Sequence, residues 1–169
     1  MDIRPEIPAD EKAISKVIGA AFLNAEHSGG NEAQIVETLR RAGTLAVSLV
    51  AAEDDRIIGH VAFSPVTVDG RSDGWFGLGP VAVEPARQRE GTGRALIEAG
   101  LATLRDRGSK GCVVLGDPAY YARFGFVADP HLWLPGVPPE YFQRLAFQAE
   151  PCTGLVRYQP AFEAREGEA

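Results

Sequence analysis

The residues with the most informative chemistry lie between Val81 and Arg94, which read VAVEPARQREGTGR. An apolar strand passes here through a glycine-containing turn into a helix start, where backbone amides lack partners and the helix dipole is positive. Gly91 and Gly93 allow close backbone approach and positive φ. Three arginines add positive charge: Arg87, Arg89 and Arg94. This combination predicts an anion site that suits a pyrophosphate.

The strand before this turn is unusual because it carries Gly77, Gly79 and Pro80. Glycine weakens a strand and proline removes a ladder donor, so the pattern predicts a bulge or local splaying. In an extended strand the amides of Val81 and Val83 point the same way. If the neighbouring strand diverges, these amides can pair with an extended, amide-containing ligand. The pantetheine arm of coenzyme A is such a ligand.

Taken alone, the glycine motif has low specificity, and two competing phosphate motifs do not fit it. A Walker A loop needs Lys and then Ser or Thr after its last glycine, whereas Gly93 is followed by Arg94 and Ala95. The dinucleotide fingerprint fails because Leu96 stands where it needs Gly or Ala. The remaining alternative is that the turn only starts a helix and the arginines form a solvent-exposed face.

With these residues in view, VAVEPARQREGTGRALI resembles motif A of the GNAT N-acetyltransferases, a strand followed by Q/R-x-x-G-x-G/A and a helix. Gln88, Gly91 and Gly93 match that pattern. The run YYARFGF matches the second signature of the family, and VVLGDPAYYARFGF is closest to its YhbS-like branch. The order of elements resembles the family along essentially the whole chain.

The resemblance implies an acyl-CoA N-acyltransferase fold that holds acetyl-CoA as co-substrate, with no metal. The backbone of Val81–Val83 and of Arg89–Arg94 is then expected to bind the coenzyme. The implied coenzyme-binding residues are Val81, Ala82, Val83, Gln88, Arg89, Glu90, Gly91, Thr92, Gly93 and Arg94.

Acyl transfer to an amine needs a neutral nucleophile, stabilisation of an oxyanion and a proton for the departing thiolate. The strand amides near Val81 are candidates for the oxyanion. Tyr121 matches the family tyrosine and is the candidate catalytic residue, since its hydroxyl can donate to the coenzyme sulfur. Packing against Phe124 and Phe126 is the structural alternative for Tyr121. No general base stands out among the four acidic or imidazole candidates, which are Glu26, His27, Glu84 and Asp117. A water chain can serve as the base instead.

The chain departs from the family pattern after the strand Val113–Leu115, where several members carry an asparagine and Gly116, Asp117 and Pro118 stand here. A second distinctive segment, LWLPGVPPEYFQRLAF, contains Trp133, Pro138 and Tyr141. These side chains are candidates for an acceptor pocket or a homodimer contact.

The elements that must position these residues follow from hydrophobic periodicity. Two amphipathic helices are expected before the sheet, the first with Ile14, Val17, Ile18 and Phe22 on one stripe. Asp54 and Asp55 predict a tight hairpin turn between two apolar strands. A strand, a crossover helix over 91–107 and a strand over 111–115 imply parallel pairing. The stretch 65–68 is expected to continue the antiparallel pattern, 141–148 to form a strand or helix, and LVRYQ to add a strand.

The fold class is therefore α/β (α+β), with a mixed, mostly antiparallel central sheet splayed at the cofactor site and flanked by helices. We expect one domain over residues 3–160 and a charged, frayed tail over 161–169.

Composition argues against several classes of function. The formal net charge of -6 argues against a basic surface that would bind the phosphates of a nucleic acid. No apolar run is long enough to span a bilayer, and the N-terminus lacks a secretion signal, so a cytoplasmic protein without membrane contact is expected. Cys112 and Cys152 have no spacing typical of a disulfide framework or zinc site.

These observations predict an acetyl-CoA-dependent N-acetyltransferase that moves an acetyl group directly from the thioester to a primary amine of a small molecule or peptide. The alternative is a non-catalytic acyl-CoA-binding or regulatory module on the same scaffold.

Overall fold

The helices and strands follow the chain in the order that the hydrophobic pattern predicts. The computed structural model describes residues 1–25 and 28–163. Its α-helices are α1 (Glu11–Phe22), α2 (Glu32–Arg41), α3 (Thr92–Asp106) and α4 (Pro118–Tyr121). Its strands are β1 (Asp2–Pro5), β2 (Val47–Glu53), β3 (Arg56–Pro65), β4 (Thr67–Val68), β5 (Trp75–Val83), β6 (Gly111–Leu115), β7 (Val127–Ala128), β8 (Leu132–Trp133), β9 (Phe142–Ala146) and β10 (Gly154–Arg157).

Helix α1 covers one face of the main sheet, and α2 packs against α1. The expected stripe of α1 buries Ile14, Val17 and Ile18, while Phe22 is half-buried. This stripe packs against Val50 and other small apolar residues of the sheet. Burial of the stripe, rather than helix propensity, is the main source of stability for helices of this length.

The hairpin between β2 and β3 turns at Asp54 and Asp55, as the sequence predicts. Asp54 has a φ of 51° and Asp55 a φ of 62°, the left-handed conformation that both central residues of a type I′ turn require. Glu53 therefore pairs directly with Arg56. The hairpin prediction is confirmed, and its register is now defined.

The main sheet has the strand order β1-β2-β3-β5-β6-β9-β7. Its pairs are antiparallel except for β5 and β6, which run parallel over Trp75–Gly77 and 111–113. Helix α3 makes the crossover and packs on the face opposite α1, where Gly100 lets the ring of Phe63 approach. The predicted mixed, mostly antiparallel, helix-flanked sheet is confirmed.

Strand β4 pairs antiparallel, as expected for the stretch 65–68, but it does so in a second sheet. Strand β4 does not continue the central sheet, because Thr67 and Val68 pair with β10 in a separate three-stranded sheet of order β4-β10-β8. The LVRYQ stretch does form a strand, and it lies in this small sheet. Of the two alternatives for 141–148, the strand is correct, since β9 spans Phe142–Ala146 and pairs with β6.

The expected boundaries of a single domain and a tail stay a prediction. Described packing continues beyond position 160, because Ala161 is buried with Ile35 and Leu39. Residues 164–169 lie outside the described part of the chain. Among residues 1–25 and 28–163, no helix is long and apolar enough to cross a membrane.

Candidate active site

Strands β5 and β6 separate after three residue pairs, which leaves one edge of β5 open. The registered pairs end at Gly77 and Val113, although β5 continues to Val83. On the other edge, the Glu84 amide donates to the Ile58 carbonyl of β3 over 2.8 Å. Because successive strand amides point to opposite edges, the amides of Val81 and Val83 face the open side. We call this opening the sheet split.

A bulge in β5 accompanies the split. Val61 lies opposite Val81, but Phe63 lies opposite Leu78, so β5 carries one more residue than β3 between these pairs. The extra residue falls at Gly79 and Pro80, where Gly79 has a φ of 133°. Such a conformation is available to glycine and strained for other residues. Gly79 and Pro80 therefore mark the bulge that the interrupted strand pattern predicts.

The loop between β5 and α3 brings backbone groups to the positive end of a long helix. Gln88 folds back, and its Nε2 donates to the Val83 carbonyl over 3.1 Å. Gly91 has a φ of 89° and precedes α3, as expected for a glycine that allows positive φ. Gly93 instead lies inside α3, and the other left-handed residue of the loop is Arg89, with a φ of 67°.

The three loop arginines differ in whether a nearby carboxylate already neutralises their positive charge. Arg87 makes a two-bonded ion pair with Glu53 of β2, at 3.0 and 3.1 Å, and also reaches Glu90. Arg94 pairs with Glu98 one helical turn away. Within the described residues, Arg89 makes no salt bridge. Carboxylates therefore compensate the charge of Arg87 and Arg94, and the predicted binding role of Arg94 stays a prediction.

Tyr121 is positioned by the short helix that follows β6. Asp117 caps α4 by accepting a hydrogen bond from the Ala119 amide at 3.0 Å, which explains this carboxylate without a catalytic role. A Cβ at Gly116 would lie 2.5 Å from Cε2 of Tyr121, so glycine makes room for the ring. The departure from the family pattern at this position thus has a local steric reason.

The environment of Tyr121 is mostly aromatic. Its ring meets Tyr120 edge-on at 5.0 Å and Phe126 at 5.9 Å between ring centroids. Burial raises the pKa of Tyr121 to about 12. The hydroxyl therefore stays protonated at neutral pH and is available as a hydrogen-bond donor.

Two cavities meet at the split. The first, the loop cavity, has a volume of about 680 Å³, and its lining includes Val83, Arg89, Gly91, Gly93, Arg94 and Tyr120. The second, the split cavity, has a volume of about 720 Å³, and its lining includes Leu78, Gly79, Pro80, Leu115, Leu134 and Tyr158. Phe22, Val81 and Tyr121 line both. A ligand in one cavity can therefore reach a ligand in the other beside Val81 and Tyr121.

Sequence comparisons agree with this geometry. A family model described as an acetyltransferase (GNAT) domain matches residues 44–128. The N-acetyltransferase YhbS of Escherichia coli strain K12, itself named as uncharacterized, is 40% identical over 169 aligned residues, covering 96% of this chain and 98% of that protein. This chain belongs to the GNAT acetyltransferase family. The resemblance to the family and to its YhbS-like branch is confirmed.

Solved GNAT structures superpose closely on this chain. A GNAT family acetyltransferase from Brucella melitensis, crystallised in complex with acetyl-CoA, has a TM-score of 0.86 and 49% identity, covering 95% of this chain and 97% of that one. YhbS from E. coli in complex with CoA has a TM-score of 0.85 and 37% identity, covering 96% and 92%. The fold expected for a GNAT N-acetyltransferase is therefore confirmed.

The other candidate bases do not gather at the split. Glu84 forms an ion pair with Arg56. Glu26 and His27 lie outside the described residues. Within the described chain, no cluster of three His, Cys, Asp or Glu side chains could hold a metal ion.

His60 belongs to a buried polar network between the sheet and α2. Its Nε2 lies 2.8 Å from the Ser48 hydroxyl, which donates to Glu6. Glu6 in turn accepts two hydrogen bonds from Arg40, at 2.8 and 3.0 Å. Burial lowers the pKa of His60 to about 4, so this side chain is neutral at physiological pH. We assign the network a structural role.

Sequence reasoning missed one residue that lines the site and one that holds a residue of it. Tyr158 lines the split cavity, and Glu53 holds Arg87 of the loop. Gly77 indicated indirectly that a residue such as Tyr158 packs here, because glycine inside a strand often marks close approach by another group. The approaching group is the Tyr158 ring, far away in the chain, and no local pattern could identify it.

Proposed function

We propose that this protein transfers the acetyl group of acetyl-CoA directly to a primary amine of a small molecule or peptide. One observation carries the proposal: the open amides of Val81 and Val83 lead along a single strand into the loop and helix start at 88–94. An extended ligand with amide groups at one end and a pyrophosphate at the other matches this sequence of groups. The complexes of the Brucella relative with acetyl-CoA and of E. coli YhbS with CoA support it.

The proposed coenzyme contacts divide between strand and loop. The backbone of Val81–Val83 pairs with the pantetheine arm, and the backbone of Gln88–Arg94 holds the pyrophosphate at the start of α3. Arg89 supplies positive charge, because its guanidinium is not tied to a carboxylate of the described chain. Glu53 holds Arg87 and so fixes the loop from the side.

In the proposed reaction, the neutral amine attacks the thioester carbonyl carbon and the C–S bond breaks. The oxyanion of the tetrahedral intermediate accepts hydrogen bonds from strand amides near Val81. Tyr121 donates to the departing sulfur. Because the pKa of Tyr121 is about 12, well above that of a thiol near ~8.5, the hydrogen bond matters more than full proton transfer. The attacking nitrogen loses its proton to water, and the products are an acetamide and free CoA.

A thiol-release assay tests this function. Purified protein with acetyl-CoA is challenged with a panel of primary amines, amino acids and peptides, while calorimetry measures CoA binding. Acetylated amine appearing in step with free thiol supports the proposal. Tight CoA binding without turnover on any acceptor would favour the acyl-CoA-binding module instead, and absence of CoA binding would reject both.

A further inference from the structure

The loop cavity is positively charged, although the chain has a formal net charge of -6. Its described lining contains no acidic side chain, and its charged residues are Arg87, Arg89, Arg94 and Arg123. Glu53 pairs with Arg87, and Glu98 pairs with Arg94. Neither Arg89 nor Arg123 makes a salt bridge with a described residue. Two guanidinium groups of this cavity therefore keep their positive charge for a ligand.

Arg123 is held in place by Tyr120. It lies in the short 3-10 turn Ala122–Phe124 that follows α4, and its Nε donates to the Tyr120 carbonyl over 2.9 Å. The guanidinium carbon is 4.3 Å from the centroid of the Tyr120 ring, which is the geometry of a cation–π contact. Because only Nε is used in a hydrogen bond to the described chain, the N–H groups of both terminal nitrogens remain available to an anion.

The Tyr120 ring also connects Arg123 to the start of α3. The ring is fixed by aromatic neighbours, with centroids 5.0 Å away at Tyr121 and 5.7 Å away at Phe124. Its hydroxyl end lies at the first turn of α3, where a Cβ added to Gly93 would be 3.8 Å from Oη. The guanidinium of Arg123 therefore lies beside the proposed pyrophosphate site, displaced from it by the breadth of one ring.

We propose that Arg123 binds the 3′-phosphate of CoA and makes the site selective for CoA over 3′-dephospho-CoA. This inference rests on the proposed acetyltransferase function, in which the pyrophosphate binds at the loop and the start of α3. In CoA a single ribose ring separates the pyrophosphate from the 3′-phosphate, which matches the displacement of Arg123. A phosphate monoester carries close to two negative charges at neutral pH and can accept two parallel hydrogen bonds from one guanidinium. Arg89 remains the arginine for the pyrophosphate.

Calorimetry with CoA and 3′-dephospho-CoA measures this selectivity. We expect the unaltered protein to bind CoA roughly five- to tenfold more tightly, because a charge-assisted contact at an exposed side chain is weakened by solvent. Arg123→Gln keeps a polar side chain and removes the charge. It should weaken CoA binding by the same factor and leave 3′-dephospho-CoA binding unchanged, which also shows that the variant is folded.

Two further measurements separate phosphate binding from a structural role. Arg123→Lys should retain part of the selectivity, because an ammonium keeps the charge but lacks the paired donors of a guanidinium. In acetyl transfer, Arg123→Gln should raise the KM for acetyl-CoA with kcat unchanged, since the 3′-phosphate is remote from the thioester.

Arg105→Gln is the matched control. Arg105 also lies over an aromatic ring, 4.7 Å from the centroid of Phe147, and makes no salt bridge with a described residue. It lies near the opposite end of α3 and is not among the residues that line the loop cavity. The Arg105→Gln protein should bind both coenzymes as the unaltered protein does.

The possible outcomes distinguish this inference from the proposed function. An equal loss of CoA and 3′-dephospho-CoA binding in the Arg123→Gln protein would move Arg123 to the pyrophosphate and overturn the inference alone. Full selectivity in that variant, or equal affinity for both coenzymes in the unaltered protein, would do the same. Absence of CoA binding to the unaltered protein would overturn the proposed function as well.

Discussion

Tyr121 and Tyr158 line the same cavity from opposite faces of the central sheet. Tyr121 packs in the hydrophobic cluster of Cys112 and Val114, whereas Tyr158 packs in the cluster that contains Val113. Neighbouring residues of β6 point to opposite faces, so the two rings approach the split from opposite sides. The gap between β5 and β6 therefore has an aromatic ring on each side.

Replacing Tyr121 by Phe tests the hydroxyl while keeping the aromatic packing. We expect kcat to fall by about one to two orders of magnitude, because the departing thiolate loses a hydrogen-bond donor. Affinity for CoA should stay the same, since the other proposed coenzyme contacts come from other residues. Steady-state kinetics and calorimetry measure the two quantities. An unchanged kcat with a rate-limiting chemical step would remove Tyr121 from the mechanism.

The pKa of about 12 for Tyr121 also predicts the shape of the pH profile. The folded-state value is raised, so the donor stays protonated up to about pH 11 and the rate should not decline below that pH through loss of its proton. On the acid side, the rate should rise with pH as the acceptor amine is deprotonated. A decline centred near pH 8 to 9 in kcat would contradict this assignment.

Gly93→Ala should separate stability from coenzyme binding. A Cβ at Gly93 would meet Val83 Cγ2 at 3.6 Å and Tyr120 Oη at 3.8 Å, which are ordinary contacts in the protein without coenzyme. Alanine favours helices over glycine, so unfolding free energy should rise by up to about 1 kcal/mol. CoA affinity should fall roughly tenfold, because the methyl group occupies the space where the pyrophosphate backbone contacts are proposed.

The comparison variant is Gly19→Ala in α1, where an added Cβ meets no atom within 4 Å. It should give a similar gain in stability with unchanged CoA affinity. Equal CoA affinity in the Gly93→Ala protein would place the pyrophosphate elsewhere.

Gly100→Ala should destabilise the protein even though it improves helix propensity. A Cβ at this position would lie 2.1 Å from Cε1 of Phe63. The ring is buried, so either α3 or the sheet must shift, at a cost of about 1–3 kcal/mol. Urea unfolding of this variant beside Gly19→Ala provides the measurement. A gain in stability at both positions would show that the contact between α3 and β3 is looser than described.

The buried His60 should make the fold sensitive to acid. Its folded-state pKa of about 4 lies below the ordinary value of 6.5, so between these values the unfolded chain binds more protons. The unfolding free energy should therefore be highest above about pH 6.5. It should fall as the pH drops towards 4, by about 3 kcal/mol at most. The charged groups that act on His60 are Glu6 and Arg40.

His60→Gln removes the titrating group and should flatten this pH dependence. Chemical denaturation at several pH values between 4 and 7 compares the two proteins. Parallel curves for both would mean that other groups cause the acid loss.

Local patterns predicted much of the fold because the signals were themselves local. Asp54 and Asp55 define a turn by their tolerance of positive φ, and Gly79 with Pro80 marks the bulge in β5. The small sheet escaped prediction because β4 and β10 are far apart in the chain, and only tertiary packing pairs Val68 with Val156. Within the candidate site, the ion pair of Arg87 with Glu53 was unpredictable for the same reason.

The split also divides the chain between two tasks. The proposed contacts to pantetheine and pyrophosphate come from 81–94, inside the region that the family model covers, while much of the split-cavity wall comes from Leu134, Pro135 and the segment 156–163 beyond it. Residues after 130 can therefore be redesigned to fit the split cavity to other amines without changing the proposed coenzyme contacts. The same separation makes chimaeras with relatives a practical way to exchange acceptor preference.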